Sequence, residues 1–222
     1  MDIDEQPPGV EPVRTNAPIV LAVFAVLFAL FFFRALPLQL DPVRTTNTAE
    51  QFDATRAMDR LAQILDGTPH PADSLELDAT RERLIGEIRS LGYEPEIRTA
   101  PACRGSITGS AIRCATVSNI LFRAGPQTGP TLILTAHYDS VEASQGFGDD
   151  GIGVAVWLEV ARILKQNPPD RPVDFLLTDG EEIALLGAQA FVADNAYGID
   201  VGRIINLEAR GVRGPAMMFE TS

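Results

Sequence analysis

Apolar residues in this chain fall into one long run, helically spaced sets and short solid blocks, and each kind predicts a different element. Ala17 to Phe33 is apolar at 17 consecutive positions, so a helix there has no polar face. It would measure roughly 25 Å at about 1.5 Å per residue, slightly under a hydrocarbon core of roughly 30 Å. Arg34 can snorkel and Leu36 to Leu40 can extend the stretch. Apolar residues at helical spacing predict amphipathic helices over Thr45 to Gly67, with Phe52, Met58, Leu61, Ile64 and Leu65 on one face, and over Asp73 to Leu91. The solid blocks Leu132 to Thr135, Val173 to Thr178 and Ile204 to Leu207 read as buried strands, separated by helices over Gly153 to Lys165 and Glu182 to Ala193. Pro95 to Arg98 and Ile112 to Phe122 add strands around a Gly/Ser-containing connection. Strands alternating with helices imply an α/β sheet with helices on both faces.

The first 16 residues carry Asp2, Asp4, Glu5, Glu11 and several prolines, the composition of a disordered acidic tail. A cleaved signal peptide needs a basic start and a small-residue cleavage site, and neither is present. The long run is therefore expected to be an uncleaved transmembrane anchor over 17–36, followed by a linker over 37–48 and one domain over 49–222. Charge leaves its orientation open: Arg14 flanks one side, Arg34 and Arg44 the other, and that count alone would put the C-terminal side in the cytoplasm.

A net charge of −12 leaves no basic stripe to displace counterions from phosphates, which argues against a nucleic-acid partner. Cys103 and Cys114 are too few for a metal site, and their spacing fits either a hairpin disulfide or two buried thiols.

Acidic residues gather where the strand blocks end. His137 and Asp139 follow the first block, Asp149 and Asp150 head the next helix, Asp179, Glu181 and Glu182 follow the second block, and Glu208 follows the third. Each has an ordinary explanation: a hydrogen-bonded histidine, helix capping for the paired acids, a salt bridge from Glu208 to Arg210 or Arg213. Capping accounts for one aspartate of the pair better than for two. The six carboxylates from Asp139 to Glu182 in one cleft repel one another and call for a cation, and the imidazole beside them points to a transition metal. Of the adjacent glutamates, one can bind metal while the other faces substrate as a general base.

In order and wording, His137-x-Asp139, Asp149-Asp150-Gly-x-Gly153, Glu181-Glu182 and Asn206-Leu-Glu208 resemble the two-zinc metallopeptidases typified by aminopeptidase Y and bacterial leucyl aminopeptidase. The resemblance runs from about Ala49 to the end. It implies a three-layer αβα sandwich with a mixed, mainly parallel sheet. By that likeness Asp149 bridges two zinc ions, His137 and Glu208 complete one, Glu182 serves the other, Asp139 orients His137, and Glu181 is the base. The implied reaction is hydrolysis of a peptide bond near a free amino terminus by a metal-bound hydroxide. Asn206-Leu-Glu-Ala-Arg-Gly and Met218-Phe-Glu-Thr221 are similar to the membrane-bound branch of the endoplasmic reticulum and vacuole, which agrees with the apolar run and with an extracytoplasmic peptidase domain. Family members carry a further histidine ligand downstream. Here His70 precedes the core and does not match it, so the sequence looks like a C-terminally incomplete piece with a weakened second zinc site. A one-zinc cyclising acyltransferase resembling glutaminyl cyclase, and a non-catalytic peptidase-like ectodomain, are the alternatives.

Overall fold

The structure is a computed structural model that describes residues 17–35, 50–105, 111–194 and 198–209. The expected tail over 1–16, the linker over 37–48, and Arg210 and Arg213 lie outside the described residues.

The long apolar run forms helix α1 (Ala17–Ala35), which belongs to a compact unit separate from residues 42–212. Its large apolar side chains, from Ile19 to Phe33, are all exposed. Among the described residues no helix is long and apolar enough to cross a membrane, so the expected transmembrane anchor over 17–36 is not displayed.

In the second unit α2 (Ala54–Ile64) begins where Asp53 accepts the Thr55 and Arg56 amides at 2.9 and 3.1 Å. Of the helix expected over Thr45 to Gly67, positions 45–49 lie outside the described residues, and among the described ones the helix starts at Ala54. Its buried stripe is Ala57, Leu61 and Ile64, whereas Phe52 and Met58 stay exposed. Ser74 caps α3 (Leu75–Ser90) through the Leu77 amide, and Leu77, Leu84, Ile85 and Ile88 turn inward.

Strands β1 (Glu96–Gly105), β2 (Ile112–Ala124), β3 (Thr131–His137), β4 (Val173–Thr178) and β5 (Val201–Asn206) form one sheet in the order β1-β2-β4-β3-β5. The β1–β2 and β2–β4 pairs are antiparallel; the β3–β4 and β3–β5 pairs are parallel. The sheet is mixed as expected, but its described pairs divide evenly between the two kinds instead of being mainly parallel. The parallel pairs follow the crossovers through α4 (Ile152–Gln166) and α5 (Leu186–Ala193), while β1 and β2 form a long hairpin.

Helices α2, α3 and α4 pack with Ile120, Phe122, Phe175 and Leu177 in the main core. On the opposite face Leu186 at the start of α5 packs with Ala102, Ala115 and Val117 of the hairpin. Residues of opposite parity along β2 serve the two clusters, which is what alternation on a strand covered on both faces requires. Burying Phe175, Leu177, Leu158 and Ile120 completely contributes roughly 1.5–3 kcal/mol each.

One buried charge ties α2 to α4. The Glu159 carboxylate is fully enclosed and accepts from the Asp53 amide, from Arg56 Nε and Nη2, and from Arg162 Nε and Nη2, all at 2.8–3.2 Å. Every lone pair is used, which is the condition under which a buried carboxylate is tolerated. Cys103 and Cys114 face each other in the β1–β2 register and form a disulfide, with Cα atoms 4.1 Å apart. The cross-strand position settles between the two readings of the pair.

Candidate metal centre

The parallel strands β3, β4 and β5 end at one edge of the sheet, and the loops leaving that edge carry the acids. This is where α/β sheets with crossover connections place ligands. His137 is the last residue of β3 and is buried. Its Nδ1 lies 3.1 Å from the Asp139 carbonyl oxygen, which as an acceptor fixes the proton on Nδ1 and leaves Nε2 as the outward nitrogen. Nε2 lies 3.1 Å from Asp149 Oδ1 and 3.9 Å from Glu181 Oε2. Ligand atoms of His137, Asp149 and Glu208 all fall within 4.8 Å of one another.

The loop before α4 separates its two aspartates. Asp149 and Asp150 are joined by a cis peptide bond and have non-helical backbone angles. Asp150 Oδ1 accepts the Gly153 amide at 3.1 Å, so Asp150 does the capping and Asp149 is left to face His137. The Asp150 carboxylate occupies the space a Cβ at position 153 would need, since such an atom would sit 2.4 Å from Oδ2. Glycine there is a packing requirement.

Asp139 does more than stand beside His137. Its carboxylate, with no exposed side-chain surface, accepts the amides of Glu181 at 3.0 Å and Glu182 at 3.2 Å, and its Oδ1 lies 3.4 Å from His137 Nδ1. One buried side chain therefore sets the position of the histidine and of the glutamate pair together. The helix expected from Glu182 begins instead at Leu186: residues 181–185 form a turn, with Ala184 (φ 108°) and Leu185 (φ 58°) in the left-handed region. That turn lets the two glutamates point from a loop.

Burial and crowding set the electrostatics. Burial pulls His137 down, but Asp139, Glu181 and Asp150 outweigh it and carry the imidazole up to about 10. Burial, then the hydrogen bond and charge of Asp149, raise Glu208 to about 7. Burial raises Asp150 to about 7, and burial followed by the charge of Asp149 raises Glu182. Without a cation the cluster must take up protons.

The structure therefore brings together His137, Asp149 and Glu208, with Asp139 behind His137 and Glu181 alongside it. Glu182 is not in the close trio. One imidazole nitrogen among carboxylate oxygens is a donor set suited to zinc, and the outward Nε2 facing an acceptor at 3.1 Å is the arrangement a shared cation relieves. Sequence reading set His70 aside as lying before the core and gave it no role. Its amide donates to Ser140 Oγ at 2.9 Å, its carbonyl accepts the Ser140 amide, and its ring fills the space beside Gly146, so it braces the loop between Asp139 and Asp149. The signal was a histidine between two prolines in a loop. Asp179 was noted only as an acid after β4. It is buried, accepts the Ser118 amide at 2.8 Å, and is pushed up to about 7 chiefly by burial, because Arg81 at 3.9 Å stands too far off to offset it.

Residues 119–222 match the sequence profile of peptidase family M28. The "Vacuolar membrane protease" of Candida albicans (strain WO-1) is 43% identical over 104 residues, covering 46% of this chain and 12% of the relative. The chain spans about 10 to 25% of the length of the curated relatives it matches. A leucine aminopeptidase precursor from Bacteroides thetaiotaomicron VPI-5482 superposes with TM-score 0.61 at 22% identity, covering 74% of this chain and 64% of that one. Bacteroides thetaiotaomicron glutaminyl cyclase gives TM-score 0.61 at 23% identity, covering 72% and 63%. Both are likenesses of fold.

Proposed function

We propose, for a chain whose residues 119–222 match peptidase family M28, that the whole protein is a zinc-dependent exopeptidase acting near the free amino terminus of a peptide. The observation that carries this is the convergence of ligand atoms of His137, Asp149 and Glu208 within 4.8 Å of one another at the carboxyl edge of the sheet, with Glu181 beside them. His137, Asp149 and Glu208 would hold one zinc, with Asp149 shared and Glu182 serving a second. Zinc held there supplies Lewis acidity toward the scissile carbonyl and acidifies a water molecule.

The chain's own groups do the rest. Asp139 fixes the Glu181–Glu182 turn through its two accepted amides, and so fixes where the Glu181 carboxylate stands. Glu181 is partly exposed, which suits a base that takes a proton from water on one side and delivers it to the departing amine on the other. His137, with Nδ1 held by the Asp139 carbonyl, would offer Nε2 to a bound zinc, and Glu181 is left as the base.

The decisive substitution is Glu181→Gln. It is expected to lower hydrolysis of an aminoacyl amide by at least 10²-fold while zinc content stays at the parent level. Loss of zinc together with activity would make Glu181 a ligand instead. A second reading, a one-zinc cyclase, is kept by the shared fold, and zinc stoichiometry of the full-length protein separates the two. The exposed apolar helix α1 is proposed to seat the protein at a membrane, as the name of the Candida relative says of that protein. The Cys103–Cys114 disulfide supports an oxidising, extracytoplasmic compartment for the folded domain. Flotation of the chain with liposomes, lost on deleting 17–35, tests the first of these.

A further inference from the structure

The β1–β2 hairpin is longer than the sheet it belongs to. Its pairing with β4 ends at Ile120↔Leu177, yet β2 continues from Ser118 down to Ile112 paired with Thr99 to Gly105. Seven residues at about 3.4 Å each put the hairpin end roughly 24 Å beyond β4, past the edge that carries the metal residues. Ala102, Ala115 and Val117 face α5 in this projecting part, packed with Leu186. Strand alternation puts Arg104 and Arg113 on that same face.

These two arginines are directly opposite each other in the register, one pair beyond the disulfide that fixes the hairpin. Like charges so placed repel, and in a chain with net charge −12 a cross-strand acid was easily had. Among the described residues neither arginine makes an ion pair. Arg104 Nη1 donates to the Ala184 carbonyl at 3.3 Å, and the Ala184 amide donates to the Glu181 carbonyl at 3.1 Å. The guanidinium thus sits against the turn that bears the proposed base. Arg113 is exposed beside it.

We infer that Arg104 and Arg113 form a specificity clamp for a carboxylate of the bound peptide, held at the rim of the cleft by the projecting hairpin and selecting acidic substrates. This rests on the peptidase reading for what the clamp serves, though not for the anion site itself. An arginine pair has the fork of donors that a carboxylate takes bidentately, and a bound carboxylate removes the repulsion the hairpin otherwise stores. The carboxylate can come from an Asp or Glu side chain or from the peptide's own C-terminus.

The test uses the zinc-loaded chain and three short peptides of equal length: neutral and amidated, aspartate-containing and amidated, and neutral with a free C-terminal carboxylate. Calorimetry on the Glu181→Gln variant reads binding, and hydrolysis by the parent reads turnover. One or both anionic peptides are expected to bind about tenfold more tightly than the neutral amide at low salt, with the preference shrinking as salt rises. Which of them is preferred identifies the source of the carboxylate. Arg113→Glu should abolish the preference while the melting temperature stays at or above the parent's, because the like-charge pair is gone; a merely structural arginine would not give that combination. Equal binding of all three peptides, or a preference that survives Arg113→Glu, overturns the clamp. An anionic preference in binding by this chain, with no hydrolysis of any of the peptides by the full-length protein, leaves the clamp standing and sinks the peptidase reading.

Discussion

Replacing Asp139 by asparagine should weaken zinc binding without touching a ligand. The carboxylate accepts the Glu181 and Glu182 amides and lies against His137 Nδ1, with no exposed side-chain surface. Asparagine keeps one acceptor oxygen, so one amide stays bonded and the other meets an NH2 group. A hydrogen bond to a charged group contributes about 1.5–3 kcal/mol, and a buried donor left unmet costs a comparable amount. The loss is local, because the turn over 181–185 is tied to the β3 loop through these two bonds. Part of it therefore appears as displacement of Glu182 and of the His137 ring, and the expected drop in zinc affinity is about 10–100-fold. Competition with a chromogenic chelator measures the affinity, and thermal unfolding of the metal-free protein measures the fold on its own. A variant that unfolds several degrees lower yet binds zinc as tightly as the parent would show that Asp139 is a structural acid only.

Glu159→Gln removes the charge shared by Arg56 and Arg162. Breaking a buried pair costs about 3–5 kcal/mol, and the partial exposure of Arg56 reduces the expected loss here to about 2 kcal/mol, read from urea unfolding; no change would mean the arginines are satisfied by solvent. Asp179 has a folded-state pKa raised to about 7, so its charge destabilises the fold progressively as pH rises from about 4 to 7 and constantly above that. Asp179→Asn is accordingly expected to raise the melting temperature at pH 8.5 and not at pH 4.5, with an upper bound of about 4 kcal/mol; an equal shift at both pH values would contradict the burial argument.

The sheet-forming blocks, α4 and the acids at the strand ends were legible because they depend on local pattern, solid apolar runs for β3 and β4 and the switch from period two to helical spacing, but β5, expected to be buried, is exposed along its length. What was hidden depends on contacts far apart in sequence. Glu182 looked like the first residue of a helix, and only the two bonds from Asp139, more than forty residues earlier, explain why 181–185 is a turn. Asp149 and Asp150 read as interchangeable until the Gly153 amide chose between them. The disulfide could not be decided without the hairpin register, and Glu159, lying in the apolar run Val156-Trp-Leu-Glu-Val160, gave no hint of its partners on α2. The apolar run at Ala17 was legible as a helix, which the structure forms over Ala17–Ala35.

Equilibrium dialysis of the chain against zinc, followed by metal analysis of parent, His137→Ala and Asp149→Asn, asks whether these clustered acids exist to hold a cation. Stoichiometric zinc in the parent and its loss in both variants is the predicted outcome. A parent chain that retains no zinc, or variants that retain as much as the parent, would mean the carboxylates at the sheet edge cap helices and bind protons, and the metal centre would have to be abandoned.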